Sequence, residues 1–134
     1  MRSKTALTAE DAADIVTACK AEAAANNWNV AIAVVDEGGY LMHLERVDGA
    51  PLQSPEIAQL KARTAAIAKA PTKALEDVVK DRPAVGLMPG RLPVQGGVPI
   101  LHNGECIGGI GVSGVKSHED EVVALAGLKV VAGA

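Results

Sequence analysis

The sequence predicts an α+β domain, an antiparallel sheet made of two β-hairpins with helices on both faces. Val30 to Val35 is an unbroken apolar run, as expected of a strand covered on both sides. The turns Asp36-Glu37-Gly38-Gly39 and His102-Asn103-Gly104-Glu105 each join two largely apolar runs in hairpin fashion. Strand and helix do not alternate, so the order α-β-β-α-α-β-β-α favours antiparallel pairing.

Each element has its own signal. A first helix opens at Thr8, where Asp11 completes a capping-box pair. Ala12, Ile15, Val16, Cys19 and Ala23 make its apolar stripe, and Asn26-Asn27 ends it. The strand from Val30 turns at Gly38-Gly39 and returns as Tyr40 to Arg46. After the loop Val47 to Pro51, Ser54 is expected to cap a second helix, with Pro55 in its first turn and Glu56 at the positive end of its dipole. That helix runs to about Ala70. Pro71 breaks it, and Thr72 is expected to cap a shorter third helix toward Val79. Arg82 to Gly97 is a long Pro/Gly-punctuated loop of the kind used as a lid or interface arm. Val98 to Leu101 and Cys106 to Val112 form the second hairpin. Ser117 is expected to cap the last helix, with Val122, Val123, Ala126 and Val130 on its buried face.

The whole chain, residues 1–134, is read as one domain. Hydrophobic content is 49%, yet Phe is absent and Trp28 and Tyr40 are the only aromatic residues. A core of Ala, Val, Ile and Leu brings layers close together. It also buries less area per residue at roughly 25 cal/mol per Å², so further burial in a homo-oligomer is expected. A net charge of −3 with interspersed signs argues against nucleic acid as a partner. No apolar stretch is long enough to cross a membrane. Glu10, Asp11 and Asp14 stand where a secretory leader needs its apolar core, so a cytoplasmic location is expected. Cys19 and Cys106 lack metal-ligand spacing and read as small buried hydrophobes; no metal site is expected.

Seven of the nineteen residues from Gly96 to Gly114 are glycine. A run this dense in strands needs a close neighbour, either another backbone or a ligand. Gly109 to Gly114 also satisfies G-x-G-x-x-G. A dinucleotide site needs a further strand and an acidic residue about 20 positions on, and neither is expected before Ala134.

Together these residues resemble the GlcG/HbpS family. Asn27-Trp28-Asn29-Val30 through Asp36, Gly38-Gly39 and Arg46-Val47-Asp48-Gly49-Ala50 are similar to its opening. Lys61-Ala62-Arg63-Thr64-Ala65 matches its helix. Gly96-Gly97-Val98-Pro99-Ile100, Ile107 to Gly114 and Glu119-Asp120-Glu121 match its second half. The resemblance implies a profilin- or PAS-like fold, higher oligomers and haem binding in some members. The family includes glycolate-operon accessory proteins, extracellular haem-binding proteins and the PduO C-terminal domain. Fold follows from such a likeness more firmly than chemistry.

Candidate site residues fall into two sets. If haem is bound, as the resemblance implies, His43 on the first hairpin and His102 at the second turn are the axial donors. Gly97, Ser113 and Gly114 are then the surrounding cofactor-binding positions, between subunits near the glycine segment. His118 reads as a surface residue, and Glu119 and Asp120 as helix-start charges. The alternative is a small enzyme, an isomerase, tautomerase or lyase, acting on an organic acid. Arg46, Lys61 and Thr64 would bind the carboxylate, and His43, His102 or Lys61 would be the catalytic group. The free N–H groups between Ser113 and Ser117 offer a carboxylate or phosphate a place to bind. Each residue also has a plain structural role open to it: a loop-fixing ion pair for Arg46, a helix-sheet contact for Lys61 and Thr64, a solvated turn for His102. Both readings, haem-binding accessory protein and organic-acid enzyme, remain open on the sequence.

Overall fold

A computed structural model describes residues Met1–Ala134. The observed order is α1 (Ala9–Ala25), β1 (Ala31–Asp36), β2 (Leu41–Arg46), α2 (Ser54–Ala68), α3 (Thr72–Asp81), β3 (Gly97–His102), β4 (Glu105–Ser113) and α4 (Ser117–Leu128). This is the expected α-β-β-α-α-β-β-α order. One sheet runs β2-β1-β4-β3 with every neighbouring pair antiparallel. The two hairpins are thus joined through their inner strands, β1 and β4. No helix is long and apolar enough to cross a membrane.

Side-chain alternation sends the two halves of β1 to different layers. Ile32 and Val34 join Ile15, Val16, Cys19 and Val123 in the larger core, beneath α1 and α4. Ala31, Ala33 and Val35 face the other way, against Ala58, Ala62 and Ala66 of α2. Helices therefore cover both faces. Cys19 is fully buried, and desolvation pushes its thiol up to about 12. It is a core atom rather than a nucleophile.

The glycine-rich segment is explained by α2. In register, Gly111 pairs with Ala33 and Gly97, and Gly109 pairs with Val35 and Pro99, so these glycines face α2. A Cβ on Gly111 would run into the Ala58 carbonyl and the Ala62 nitrogen, and one on Gly109 into the Ala62 carbonyl. Helix backbone, not ligand, fills the space beside them. Small residues on both partners let α2 settle onto the sheet at a distance that side chains would forbid.

Several local expectations are corrected. Thr8 and Asp11 do form a reciprocal capping box. Ser54 lies inside α2, with Gln53 at the cap, and its hydroxyl donates to the Pro51 carbonyl at 2.6 Å. Thr72 is the first residue of α3, not its cap. Its hydroxyl oxygen accepts from the Gly97 N–H at 2.9 Å and so ties α3 to β3. Lys116 rather than Ser117 caps α4, and the Glu119 carboxylate accepts from the Lys116 N–H at 3.2 Å. Val123 and Ala126 are buried as expected, whereas Val122 and Val130 are exposed. The long segment after α3 includes a short 3-10 helix, Pro83–Leu87, and is pinned where the Leu92 N–H donates to the Thr64 hydroxyl at 2.7 Å.

If backbone contact is what requires glycine here, Gly111→Ala should destabilise the protein by about 3 kcal/mol or more, through displacement of α2. Gly86→Ala, where a Cβ meets nothing nearer than 3.7 Å, should fall within about 0.5 kcal/mol of wild type. Equilibrium denaturation of both variants checks this.

Candidate functional site

Position 61 lies in the sheet-facing stripe of α2, with Ala58, Ala62 and Ala65. Lys61 is nevertheless charged, and it is only 2% exposed. Its ammonium donates to the Val112 carbonyl at 3.0 Å and to Asp120 Oδ2 at 3.1 Å. Asp120 is equally buried, and its other oxygen accepts from the Val115 N–H at 3.2 Å. The pair therefore fastens α2, the end of β4 and the first turn of α4 to one another. Burial pushes the Asp120 carboxyl above its ordinary value, outweighing the opposing pull of the Lys61 charge and the Val115 N–H.

The pair lies at the wall of a cleft of about 460 Å³ between the N-terminal ends of α2 and α4. Ser113 and Ser117 line it on one side, and Ile57, Leu60, Leu92 and Val94 supply apolar walls. Ser113 is 8% exposed. Glu56 and Gln53 complete the lining from the first turn of α2.

The remaining predicted site residues lie elsewhere. Thr64 is buried with its hydroxyl engaged, donating to the Leu60 carbonyl at 2.7 Å while holding Leu92. Gly97 is buried against the Lys61 carbonyl, and Gly114 (φ +148°) packs on the backbone of Asn29 and Val30. Neither glycine presents free space to a cofactor within the subunit. Arg46 is exposed at the end of β2 and pairs with Ala31, which pairs with Ser113. It thus stands two strand spacings, about 10 Å, from Ser113 and outside the cleft lining.

His43 and His102 occupy opposite edges of the sheet, on β2 and β3. His43 pairs with Val34 and is half-buried. His102 Nδ1 donates to the Ala132 carbonyl, and Asn103 Nδ2 lies 3.3 Å from Nε2. A carbonyl only accepts, so Nδ1 carries a proton, and the Asn103 amide is the group that faces Nε2. His102 lines a second hollow, of about 230 Å³, with Leu7, Ile15, Ile107 and Val131 as apolar walls and Asp14 beside them. Within one subunit, then, the histidines, Arg46 and Lys61 do not share a site. His118 is exposed, as expected.

Asp120 is the residue that sequence reasoning misread. It is the buried partner of Lys61, not one of several solvated charges at a helix start. Two signals point to it: a lysine inside a small-residue stripe, which needs a buried anion, and an acid three and four residues before the buried Val123 and Ala124.

Comparison with known proteins follows the same fold. The family model described as "Haem degrading protein HbpS-like" matches residues 7–129. Protein GlcG of Escherichia coli K12 is 41% identical over 114 residues, which cover 84% of this chain and 85% of that protein. A double mutant of Streptomyces reticuli HbpS superposes with a TM-score of 0.93 at 36% identity, covering 98% of this chain and 90% of that one. The PduOC–haem complex superposes with a TM-score of 0.87 at 28% identity, covering 95% and 96%.

Two predictions follow from the ion pair. Lys61→Met leaves Asp120 buried without its partner and should cost about 3–5 kcal/mol in denaturation. Asp120 itself should titrate above the ordinary carboxylate value of about 3.9 when its carboxyl carbon is followed by NMR. Because the folded state holds that proton more tightly, the contribution of Asp120 to stability is fullest in acid. It is lost as pH rises from the unfolded value through the raised folded one. Asp120→Asn should remove that component.

Proposed function

Because the chain belongs to the HbpS-like family, we infer that it is an oligomeric small-molecule-binding protein whose ligand is haem or a related tetrapyrrole, held at His102. The observation that carries this reading is the hydrogen bond from His102 Nδ1 to the Ala132 carbonyl. It fixes the ring, the arrangement usual for histidines that ligate metals, and makes Nε2 the nitrogen that would meet a metal once the Asn103 amide, 3.3 Å from it, swings aside. Haem, when bound, brings an iron whose axial position such an imidazole fills. The haem complex formed by the PduOC neighbour supports the ligand class.

The residues around His102 suit part of such a ligand. Leu7, Ile15, Ile107 and Val131 offer an apolar wall. The hollow of about 230 Å³ is smaller than the roughly 300–1,000 Å³ that encloses a drug-sized ligand. A tetrapyrrole there must therefore be covered by a second surface, and another copy of the chain supplies it. A homo-oligomeric state and a cytoplasmic location belong to this same reading. His43, on the opposite sheet edge, takes no part in the His102 hollow.

Titration of the purified protein with hemin, followed at the Soret band and by sedimentation, should saturate near about one haem per subunit, with the complex an oligomer. His102→Ala should lose the saturable shift, and His43→Ala should keep it. A shift that survives in His102→Ala, or a haem complex that sediments as a monomer, overturns this assignment.

A further inference from the structure

The cleft between α2 and α4 holds a polar group that the fold leaves unused. Ser113 is 8% exposed, yet its hydroxyl makes no hydrogen bond within the protein, and it lines the cleft. The two buried charged groups beside it are already engaged. The Lys61 ammonium is taken by Val112 and Asp120, and the second Asp120 oxygen by Val115. No fully buried side-chain oxygen lacks a partner, so the Ser113 hydroxyl, on a residue otherwise buried, opens to solvent through the cleft that it lines.

We propose that this cleft binds the anion of a small monocarboxylic acid, with the Ser113 hydroxyl and the first turn of α4 as donors. The N–H groups of Glu119 and Asp120 both bond to the Lys116 carbonyl, so Ser117 and His118 keep the free N–H groups of this helix end. Ser117 also brings a hydroxyl to the cleft lining. An anion at that end is favoured by the helix dipole. The buried Lys61–Asp120 pair is neutral as a whole and adds no repulsion. Ile57, Leu60, Leu92 and Val94, in the same lining, accept a short hydrocarbon body. Glu56 sets the charge limit. Its carboxylate is part of the same lining and repels every negative charge brought into the cleft, so a second charge doubles a penalty that a monoanion meets once, which disfavours dicarboxylates and phosphate. The site is independent of His102 and needs no haem.

The test is an amide NMR titration of the haem-free full chain with propionate, propionamide and inorganic phosphate. Propionate should shift the amides of Ser113, Ser117 and His118 saturably in the millimolar range. Propionamide and phosphate should bind at least about tenfold more weakly. Ser113→Ala should raise the propionate midpoint about tenfold, as expected for loss of one hydrogen bond to a charged group. Leu60→Trp, which fills the cleft from its apolar side, should abolish the shifts while the remaining amides stay in place. Absence of saturable shifts, equal binding of propionamide, phosphate binding as tightly as propionate, or an unchanged midpoint in Ser113→Ala each overturns the proposal.

Discussion

The closeness of α2 to the sheet is the constraint on which the rest of this structure depends. Ala58, Ala62 and Ala66 lie over Ala31, Ala33 and Val35, and the helix backbone passes directly above Gly97, Gly109 and Gly111. Such a layer gains little from the area of any one side chain. Its stability comes from many close atom pairs, each weak and all lost together if the helix is lifted. Glycine costs strand stability through backbone entropy, and here that cost is offset by contact no larger residue permits.

That closeness also explains why a charge is tolerated beneath the helix. At the open end of the interface the stripe position is Lys61, whose long stem reaches past the last glycines to the end of β4 and the first turn of α4. An ion pair in such a place is not strong evidence of stabilisation, since desolvation cancels much of its attraction. Its value here is directional. One ammonium and one carboxylate specify how α2, β4 and α4 meet, in a region where alanine and glycine offer no shape to interlock. The same contacts fix Val112 and Val115 on either side of Ser113, which holds that hydroxyl at the cleft.

Local signals made most of this fold legible in the sequence. The apolar run of β1, the Asn103-Gly104 turn, the Thr8–Asp11 cap and the breaks at Asn26 and Pro71 all depend on residues close together in the chain. The helix starts at Ser54, Thr72 and Ser117 were less legible, because Ser54 donates back to Pro51, Thr72 serves a distant strand and Ser117 makes no capping bond. Thr72 shows why: its oxygen serves Gly97, 25 residues away, and nothing in the local sequence reports that. The candidate site was legible only in pieces. Lys61 and Ser113 stood out, but their cleft is formed with residues from the N-terminal half of α2, the segment after α3 and the start of α4. His43 and His102 looked equivalent by residue type. Only the strand order, which puts them on opposite edges, and the Ala132 carbonyl, which sets one tautomer, separate them.

The two binding regions are far apart, and the register of β4 shows how far. His102 pairs with Glu105 at one end of that strand, while Ser113 is its last residue at the other. Eight residues at about 3.4 Å each separate the two ends by about 27 Å, and the cleft lies on the α2 side whereas the His102 hollow borders α1. No single small ligand spans them. Any influence of one on the other must pass through the body of the protein, and β4 is the element that reaches both. It is also the strand most tightly held, gripped by α2 along its glycines and by Lys61 at its end. A strand so confined has little freedom to adopt a second arrangement, which is what coupling between distant sites requires. The geometry therefore favours two sites that fill independently, one built on a fixed imidazole at a sheet edge and one on an unused hydroxyl beneath a helix end.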